Sequence, residues 1–297
     1  MSDVGLLSQK ASQLLSFEGK NKHTWCSGCG NFGIINALKR ALTLENVKPH
    51  EALLCYDVGC NGNESDKINA YTIHGLHGRV IPLASGAAVA NNKMKVVAMA
   101  GDGATFSEGI NHLVHGIRND YSFTFICHNN ENYGLTIGQA STTTPKGISM
   151  NATPDGVSTE SFNSLQFVLS LKPTFVARSF SGDVEHMTEI IQKGLNHKGF
   201  SYIEIMQVCP TFNKATPQDW YWDKLKYVTD ENHDKTDIWA ARKLVDDLEK
   251  DLAVGVIYED KNRVDFENRL ISRKAKQTTL VEEVESHSIV DLMQEFV

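Results

Sequence analysis

No stretch of this 297-residue sequence stays apolar for the roughly 20 residues that a helix needs to cross a bilayer. Nor does a basic segment followed by an apolar one open it as a secretory signal would. Both absences point to a cytoplasmic protein with no membrane partner. Basic charge is scarce as well: 29 Lys and Arg stand against 36 Asp and Glu, a net charge of −7 with a pI near 5.9. That balance argues against a nucleic-acid surface. Cysteine is too sparse for a disulfide scaffold, and six thiols in a reducing compartment suit metal binding or catalysis better. The length allows a sizeable core, and one elaborated domain fits it better than two.

What the sequence does contain is organised around residues 96–141. An apolar run at 96–100 ends at Gly101-Asp102-Gly103, an amphipathic segment follows from near Thr105, and a second apolar run at 123–127 ends at Asn129-Asn130. The pattern predicts strand, acidic turn, helix, strand, polar turn. In a parallel βαβ unit both turns reach the same carboxyl edge of the sheet, where open α/β folds bind ligands. Asp102 offers a hard carboxylate and Asn130 a hard amide oxygen, which suit Mg²⁺ or Ca²⁺. Flanking glycines let a diphosphate approach the backbone, and a following helix offers unpaired N–H groups to it. The two turns therefore read as a Mg²⁺-diphosphate clamp, although either alone is an ordinary turn or cap.

Upstream, Trp25-Cys26-Ser27-Gly28-Cys29-Gly30-Asn31 runs into a helical pattern at 33–44 after a polar extension at 1–16 with one weakly apolar helix. C-x-x-C there reads as a redox dithiol or half of a metal site. The segment before it, residues 17–23, has no strand for a thioredoxin-like unit. Cys60 follows a predicted strand, Ala52–Tyr56, and Cys209 follows another at 202–208. Four thiolates at one sheet edge would ligate either Zn²⁺ or a four-iron four-sulfur cluster, or Cys60 and Cys209 are simply buried. Cys55 and Cys127 lie inside apolar runs and read as inert core thiols.

Further on, Ile73-His74-Gly75-Leu76-His77-Gly78-Arg79 precedes a helix of small residues at 84–91. Its histidines and arginine suit phosphate contact, carboxylate binding or proton transfer as well as local loop bonding or, for Arg79, an interface ion pair. Residues 133–147, rich in Gly, Thr and Ser, form a long loop expected to hang over the site. Helices at 161–169 and 182–196 alternate with strands at 174–179 and 201–208, with Asp155 and Asp183 as turn and cap residues. Trp220-Tyr221-Trp222 cannot all face one core. A charged helix at 238–249, an edge strand at 254–258 and a polar, partly helical tail at 265–297 read as docking elements. The expected organisation is an extension at 1–24, a cofactor-binding domain at 25–228, and a helical docking tail of the same domain at 229–297.

Six motifs in order then carry a resemblance: WCSGCGNFG at 25–33, GCNGN at 59–63, HGLHGR at 74–79, GDG with NNENYGLT at 101–103 and 129–136, CPTFN at 209–213, and VGVIYED at 254–260. On these the chain resembles the thiamine-diphosphate-binding β subunit of the 2-oxoacid:ferredoxin oxidoreductases, and is most similar to its 2-oxoglutarate branch. The resemblance implies an α/β fold with a mostly parallel sheet flanked by helices. It implies that Cys26, Cys29, Cys60 and Cys209 hold one [4Fe-4S] cluster, and that the Asp102 and Asn130 side chains and the Asn132 carbonyl hold Mg²⁺. Cofactor-binding positions would be Gly59, Cys60, Asn61, His77, Gly101, Asp102, Gly103, Ala104, Asn130, Asn132, Tyr133, Gly134 and Leu135. His77, Arg79, Leu135 and Thr136 are the catalytic nominees.

The implied reaction is coenzyme A-dependent oxidative decarboxylation of a 2-oxoacid, 2-oxoglutarate to succinyl-CoA by preference or its reversal by a carboxylating synthase, with single electrons passing through the cluster to ferredoxin. Ile137 stands where the 2-oxoglutarate pattern has lysine, so pyruvate or a branched-chain 2-oxoacid is the first alternative. Glu108 is the nearest carboxylate for activating the cofactor ring but reads as a local interaction. The resemblance assigns that glutamate, with the pyrimidine domain, to an α subunit in an α2β2 assembly. A non-redox thiamine-dependent decarboxylase would explain the clamp alone, and a zinc-stapled binding module the cysteines alone. Visible iron–sulfur absorption, lost on replacing Cys26, separates the first reading from both.

Overall fold

The computed structural model describes residues 13–246, 251–274, 276–286 and 288–294. Helix α1 (Asn31–Leu44) leads into β1 (Ala52–Tyr56), β2 (Tyr71–His74), α2 (Val80–Ala90) and β3 (Lys95–Gly101). A π-helical turn, Ala104–Glu108, then precedes α3 (Ile110–Asn119) and β4 (Phe123–Asn129). A small hairpin follows, β5 (Asn132–Tyr133) with β6 (Gln139–Ala140). Next come α4 (Ser164–Ser170), β7 (Phe175–Phe180), α5 (Val184–Asn196), β8 (Phe200–Met206), α6 (Gln218–Lys224) and β9 (Leu225–Tyr227). The chain continues through α7 (Ile238–Leu244), β10 (Leu252–Glu259), α8 (Phe266–Arg269), α9 (Leu280–Ser286) and α10 (Val290–Gln294).

Eight strands form one sheet in the order β2-β1-β3-β4-β8-β7-β10-β9. The first six run parallel, and β10 pairs antiparallel with β7 and parallel with β9. Both faces are covered. Cys55, Val96, Ala98, Phe125, Cys127 and Tyr202 join the core under α2, α3, α4 and α7. Their neighbours Leu54, Val97, Met99, Ile126 and Ile203 join the core under α1 and α5. That alternation explains the unbroken apolar runs, because a strand buried on both faces leaves no polar position. Cys55 and Cys127 are buried core thiols, as expected.

The differences from the sequence-based expectations have local causes. β10 is an interior strand because β9, too short and polar to announce itself, takes the edge. β2 has no counterpart among the expected strands because its residues are mostly exposed and show no buried alternation. The helix expected to begin near Thr105 opens as the π-helical turn, and α2 starts four residues earlier than its small-residue stretch. The loop after Tyr133 is pinned by the β5–β6 pair. Asp183 does cap α5, accepting from the His186 amide at 3.0 Å. Of the three aromatics only Tyr221 is fully buried. The N-terminal helix expected within 1–16 lies largely outside the described residues, as do residues 247–250 of the helix expected at 238–249 and part of the tail. Among the described residues no helix is long and apolar enough to cross a membrane.

Candidate active site

Four adjacent strands, β1, β3, β4 and β8, end at one edge, with Tyr56 paired to Met99, Gly101 to His128, and Asn129 to Met206. Their carboxyl ends deliver Asp57–Asn61, Gly101-Asp102-Gly103, Asn129–Gly134 and Gln207–Cys209 to a common place. A cavity of about 210 Å3 lies between them. All thirteen cofactor-binding candidates line it: Gly59, Cys60, Asn61, His77, Gly101, Asp102, Gly103, Ala104, Asn130, Asn132, Tyr133, Gly134 and Leu135. So does Thr136, whereas Arg79 does not. Arg79 donates to the carbonyls of Glu108, Gly78 and His77 at 2.8, 3.2 and 3.4 Å. His74, at the end of β2, is also outside the cavity. A larger open groove lined by Glu45, Lys193, His197, Glu259 and Arg263 shares no residue with this site.

Asp102 is fully buried and gripped from the loop above it. Ser141 Oγ and Thr143 Oγ1 donate to Oδ2 at 2.5 and 2.6 Å, and the Asn130 amide lies 3.4 Å from Oδ1. Burial pushes the Asp102 carboxyl up to about 6, with these donors pulling the other way. A buried carboxylate so disposed favours a neutralising cation. Asn130 lines the same cavity, its Oδ1 accepting from the Asn132 amide at 3.2 Å, and Thr143 also donates to Asn129 Oδ1 at 3.0 Å. The donor set is all oxygen, which fits Mg²⁺. Gly101 leaves the close approach of a diphosphate open, since nothing stands within 4 Å of where its Cβ would be, whereas a Cβ on Gly103 would stand 2.3 Å from the Tyr133 ring.

The cavity mouth holds a chain of polar groups. Asp57, fully buried, meets His77 Nδ1 at 3.1 Å and accepts from the Gly78 amide at 2.9 Å. His77 Nε2 lies 3.3 Å from Glu108 Oε2, and Tyr133 Oη donates to Glu108 at 3.2 Å. Glu108 is thus a local partner of His77 and Tyr133, in keeping with the local role expected for it.

The cysteines gather behind the same wall. Trp25 Nε1 donates to the Cys60 carbonyl at 2.6 Å, tying the C-x-x-C segment to the Cys60 loop. Gln207 Nε2 donates to Cys29 Sγ at 3.6 Å, and Cys209 Sγ to Asn132 Oδ1 at 3.8 Å. A Cβ on Gly134 would stand 3.3 Å from Cys60 Sγ and 3.9 Å from Cys209 Sγ. Burial pushes the Cys60 thiol up to about 12, and Cys29, Cys209 and Cys26 add to the rise. Cys60 is therefore near enough to the other three thiols for their charges to act on it. Among the described residues no group of three or more His, Cys, Asp or Glu closes tightly enough to hold a single metal ion.

The sequence patterns do not single out Asp57, His128, Ser141, Thr143 or Gln207. Asp57 carries a usable signal: it directly follows β1, as Asp102 follows β3.

Known proteins are similar to this chain over most of its length. Residues 57–205 match the family described as "Thiamine pyrophosphate enzyme, C-terminal TPP binding domain". Residues 209–275 match the family that describes the C-terminal part of the pyruvate ferredoxin oxidoreductase beta chain. The 2-oxoacid:ferredoxin oxidoreductase subunit beta of Saccharolobus solfataricus is 34% identical over 253 residues, 84% of this chain and 83% of that protein. The 2-oxoglutarate synthase subunit KorB of Methanocaldococcus jannaschii is 34% identical over 190 residues, 64% of this chain and 70% of its own. A solved structure, 2-oxoglutarate:ferredoxin oxidoreductase from Magnetococcus marinus with 2-oxoglutarate, coenzyme A and succinyl-CoA bound, superposes with a TM-score of 0.84 at 29% identity, covering 96% of this chain and 94% of that one. With its sheet-edge cavity, its buried Asp102 and relatives matched over most of its length, the chain belongs to the β subunits of the 2-oxoacid:ferredoxin oxidoreductase family.

Proposed function

We propose that this chain holds thiamine diphosphate, Mg²⁺ and one [4Fe-4S] cluster. Joined to an α subunit, it turns 2-oxoglutarate and coenzyme A into succinyl-CoA and carbon dioxide, passing electrons to ferredoxin. The observation that carries the reading is the buried, hydrogen-bonded Asp102 beside Asn130 in a cavity whose wall is also the Cys60 loop. Asp102, Asn130 and the Asn132 carbonyl are the proposed Mg²⁺ ligands, and Cys26, Cys29, Cys60 and Cys209 the cluster ligands. Thiamine diphosphate when bound supplies the carbon nucleophile for decarboxylation, and the cluster a one-electron carrier. The chain's own groups orient and neutralise: glycines 101 and 103 admit the diphosphate, and Tyr133–Thr136 wall the reacting end. His77, held by Asp57, presents a fixed imidazole at the mouth.

A cavity of about 210 Å3 is smaller than the roughly 300–1,000 Å3 of complete small-molecule pockets. This supports a site finished by a second subunit, which would bring the pyrimidine domain and the activating glutamate in an α2β2 assembly. The 2-oxoglutarate preference draws on the names of the M. jannaschii and M. marinus relatives. The domain limits 1–24, 25–228 and 229–297 are proposed with it. Co-purified with its partner, the protein should show iron–sulfur visible absorption and reduce ferredoxin faster with 2-oxoglutarate than with pyruvate. Equal or better use of pyruvate would overturn the substrate assignment, and full turnover by the isolated chain would overturn the two-subunit reading.

A further inference from the structure

A second, smaller cavity of about 10 Å3 lies behind the first and shares Asn61 and His128 with it. Asn31, Tyr56 and Glu64 also line it. Five side-chain atoms on these residues are buried with no hydrogen-bond partner: Asn31 Nδ2, Tyr56 Oη, both Glu64 carboxyl oxygens and His128 Nε2. Folded proteins leave few such atoms, and each needs an explanation. Here five belong to the lining of one void whose volume matches the roughly 10–15 Å3 that a single water occupies.

The chemistry of the lining is complementary to water. Asn31 spends Oδ1 on His128 Nδ1 at 2.9 Å, which places the ring proton on Nδ1 and leaves Nε2 as an acceptor. Asn31 Nδ2 supplies donors, and Tyr56 Oη serves either way. Glu64 is the unusual member. It is 3% exposed, and the charges around it are engaged elsewhere. Lys39 of α1 pairs with Glu18 at 2.9 Å, Lys67 pairs with Asp66, and His23 Nδ1 stands 4.0 Å away, beyond hydrogen-bond reach. An ionised carboxylate with no hydrogen bond in such a place costs several kcal/mol. A carboxylic acid needs only one acceptor and one donor, both of which a water supplies.

We propose that this cavity is a binding site for one internal water and that Glu64 occupies it as a neutral carboxylic acid hydrogen-bonded to that water. Burial pushes Glu64 up to about 8 although Lys39 and Lys67 pull it down, and Glu18 and Asp66 add to the rise. The water would join three segments: the Asn61–Glu64 turn after Cys60, the start of α1 after Cys29, and His128 near the end of β4. The site is required by the polar atoms themselves, whichever cofactors bind. One consequence does rest on the proposed function: an uncharged Glu64 keeps a negative charge away from the Cys60 turn, and so from a cluster held there.

The test uses the complex with its partner subunit, as the parent and as Glu64→Gln and Glu64→Met variants. A crystal structure that shows ordered solvent should place one water within hydrogen-bond distance of at least two of the five atoms in the parent and in Glu64→Gln. Glu64→Met, similar in length but apolar, should lack it. Infrared difference spectra between parent and Glu64→Gln at neutral pH should show the carbonyl band of a protonated carboxyl in the parent. A dry cavity in the parent, or a carboxylate band in place of the acid band, overturns the proposal even where Glu64→Met does not fold. The potential of the bound cluster should fall as pH rises through the ionisation of Glu64 and show a weaker pH dependence in Glu64→Gln. Identical pH profiles overturn the electrostatic consequence, whereas failure to bind a cluster at all overturns the proposed function and leaves the water site standing.

Discussion

Gly103 has no room for a side chain, since a Cβ would sit 2.3 Å from the Tyr133 ring and force that ring off the cavity wall. Gly103→Ala should therefore weaken binding of Mg²⁺-thiamine diphosphate to the complex at least about tenfold, or about 1.4 kcal/mol, by calorimetric titration. Ile137 presents the opposite case, a β-branched residue at φ +72, where such residues are strained by about 1–3 kcal/mol. Its side chain is largely exposed, so Ile137→Gly should raise Tm by about 2–4 °C despite the greater freedom of glycine. A fall in Tm would mean that the loop tolerates this backbone without strain. Glu64 gives a pH signature. Its carboxyl is held at about 8 when folded against an ordinary value of 4.5. Between those values the folded chain binds a proton that the unfolded chain lacks, so this group's contribution falls as pH rises and is lost above about 8. Glu64→Gln should gain Tm relative to the parent as pH goes from 5 to 8 in thermal scans. At this scale Asp102 and Asn130 were legible because glycine and asparagine punctuate strand ends. Ser141 and Thr143 were not, because their bonds to Asp102 span 39 and 41 residues.

Beside the strand that leads to Asn129-Asn130, β8 and β7 are joined by an ion pair that no local pattern announces. Arg178 of β7 and Glu204 of β8, both fully buried, meet at 2.8 Å, and Glu204 also accepts from Asn129 Nδ2 at 3.1 Å and from Ser164. Removing one partner strands the other charge, so Glu204→Gln should cost about 3–5 kcal/mol in urea denaturation. Replacing both, Arg178→Met with Glu204→Leu, should restore most of that loss, because packed apolar residues avoid the desolvation of two charges. A double variant as unstable as the single one would show that the pair does more than neutralise itself. Elements of this kind mark the boundary of what a sequence pattern reveals. β1, β3, β4, β7 and β8 were legible as apolar runs because a two-sided core demands them. β2 and β9 were not, since an exposed edge strand needs no such run, and a charged residue inside β7 looks like a surface position until β8 lies beside it.

At the scale of the whole molecule, the doubly covered sheet leaves its functional edge open. Val58 and Leu135 line the cavity and are partly exposed, while nearby Leu76, beside His77, is 77% exposed and Ile137 60%. Apolar side chains around an incomplete pocket, in a family of subunits, are what a partner surface would cover. The βα pattern could point to an α/β protein and the tail to a docking surface, but only the six ordered motifs suggested which kind of subunit this is, because a partner's contribution leaves no residue in this chain. Leu76 offers a clean test, since its side chain is already in water and its loss removes no internal packing. Leu76→Asp should leave the stability of the isolated chain within about 0.5 kcal/mol, as for other surface changes. In the complex the same change would bury an unpaired carboxylate in an apolar seam, so association with the α subunit should weaken at least tenfold in sedimentation or titration. If Leu76→Asp associates normally, the partner closes the cavity from another side, and Leu135 and Ile137 become the positions to substitute next.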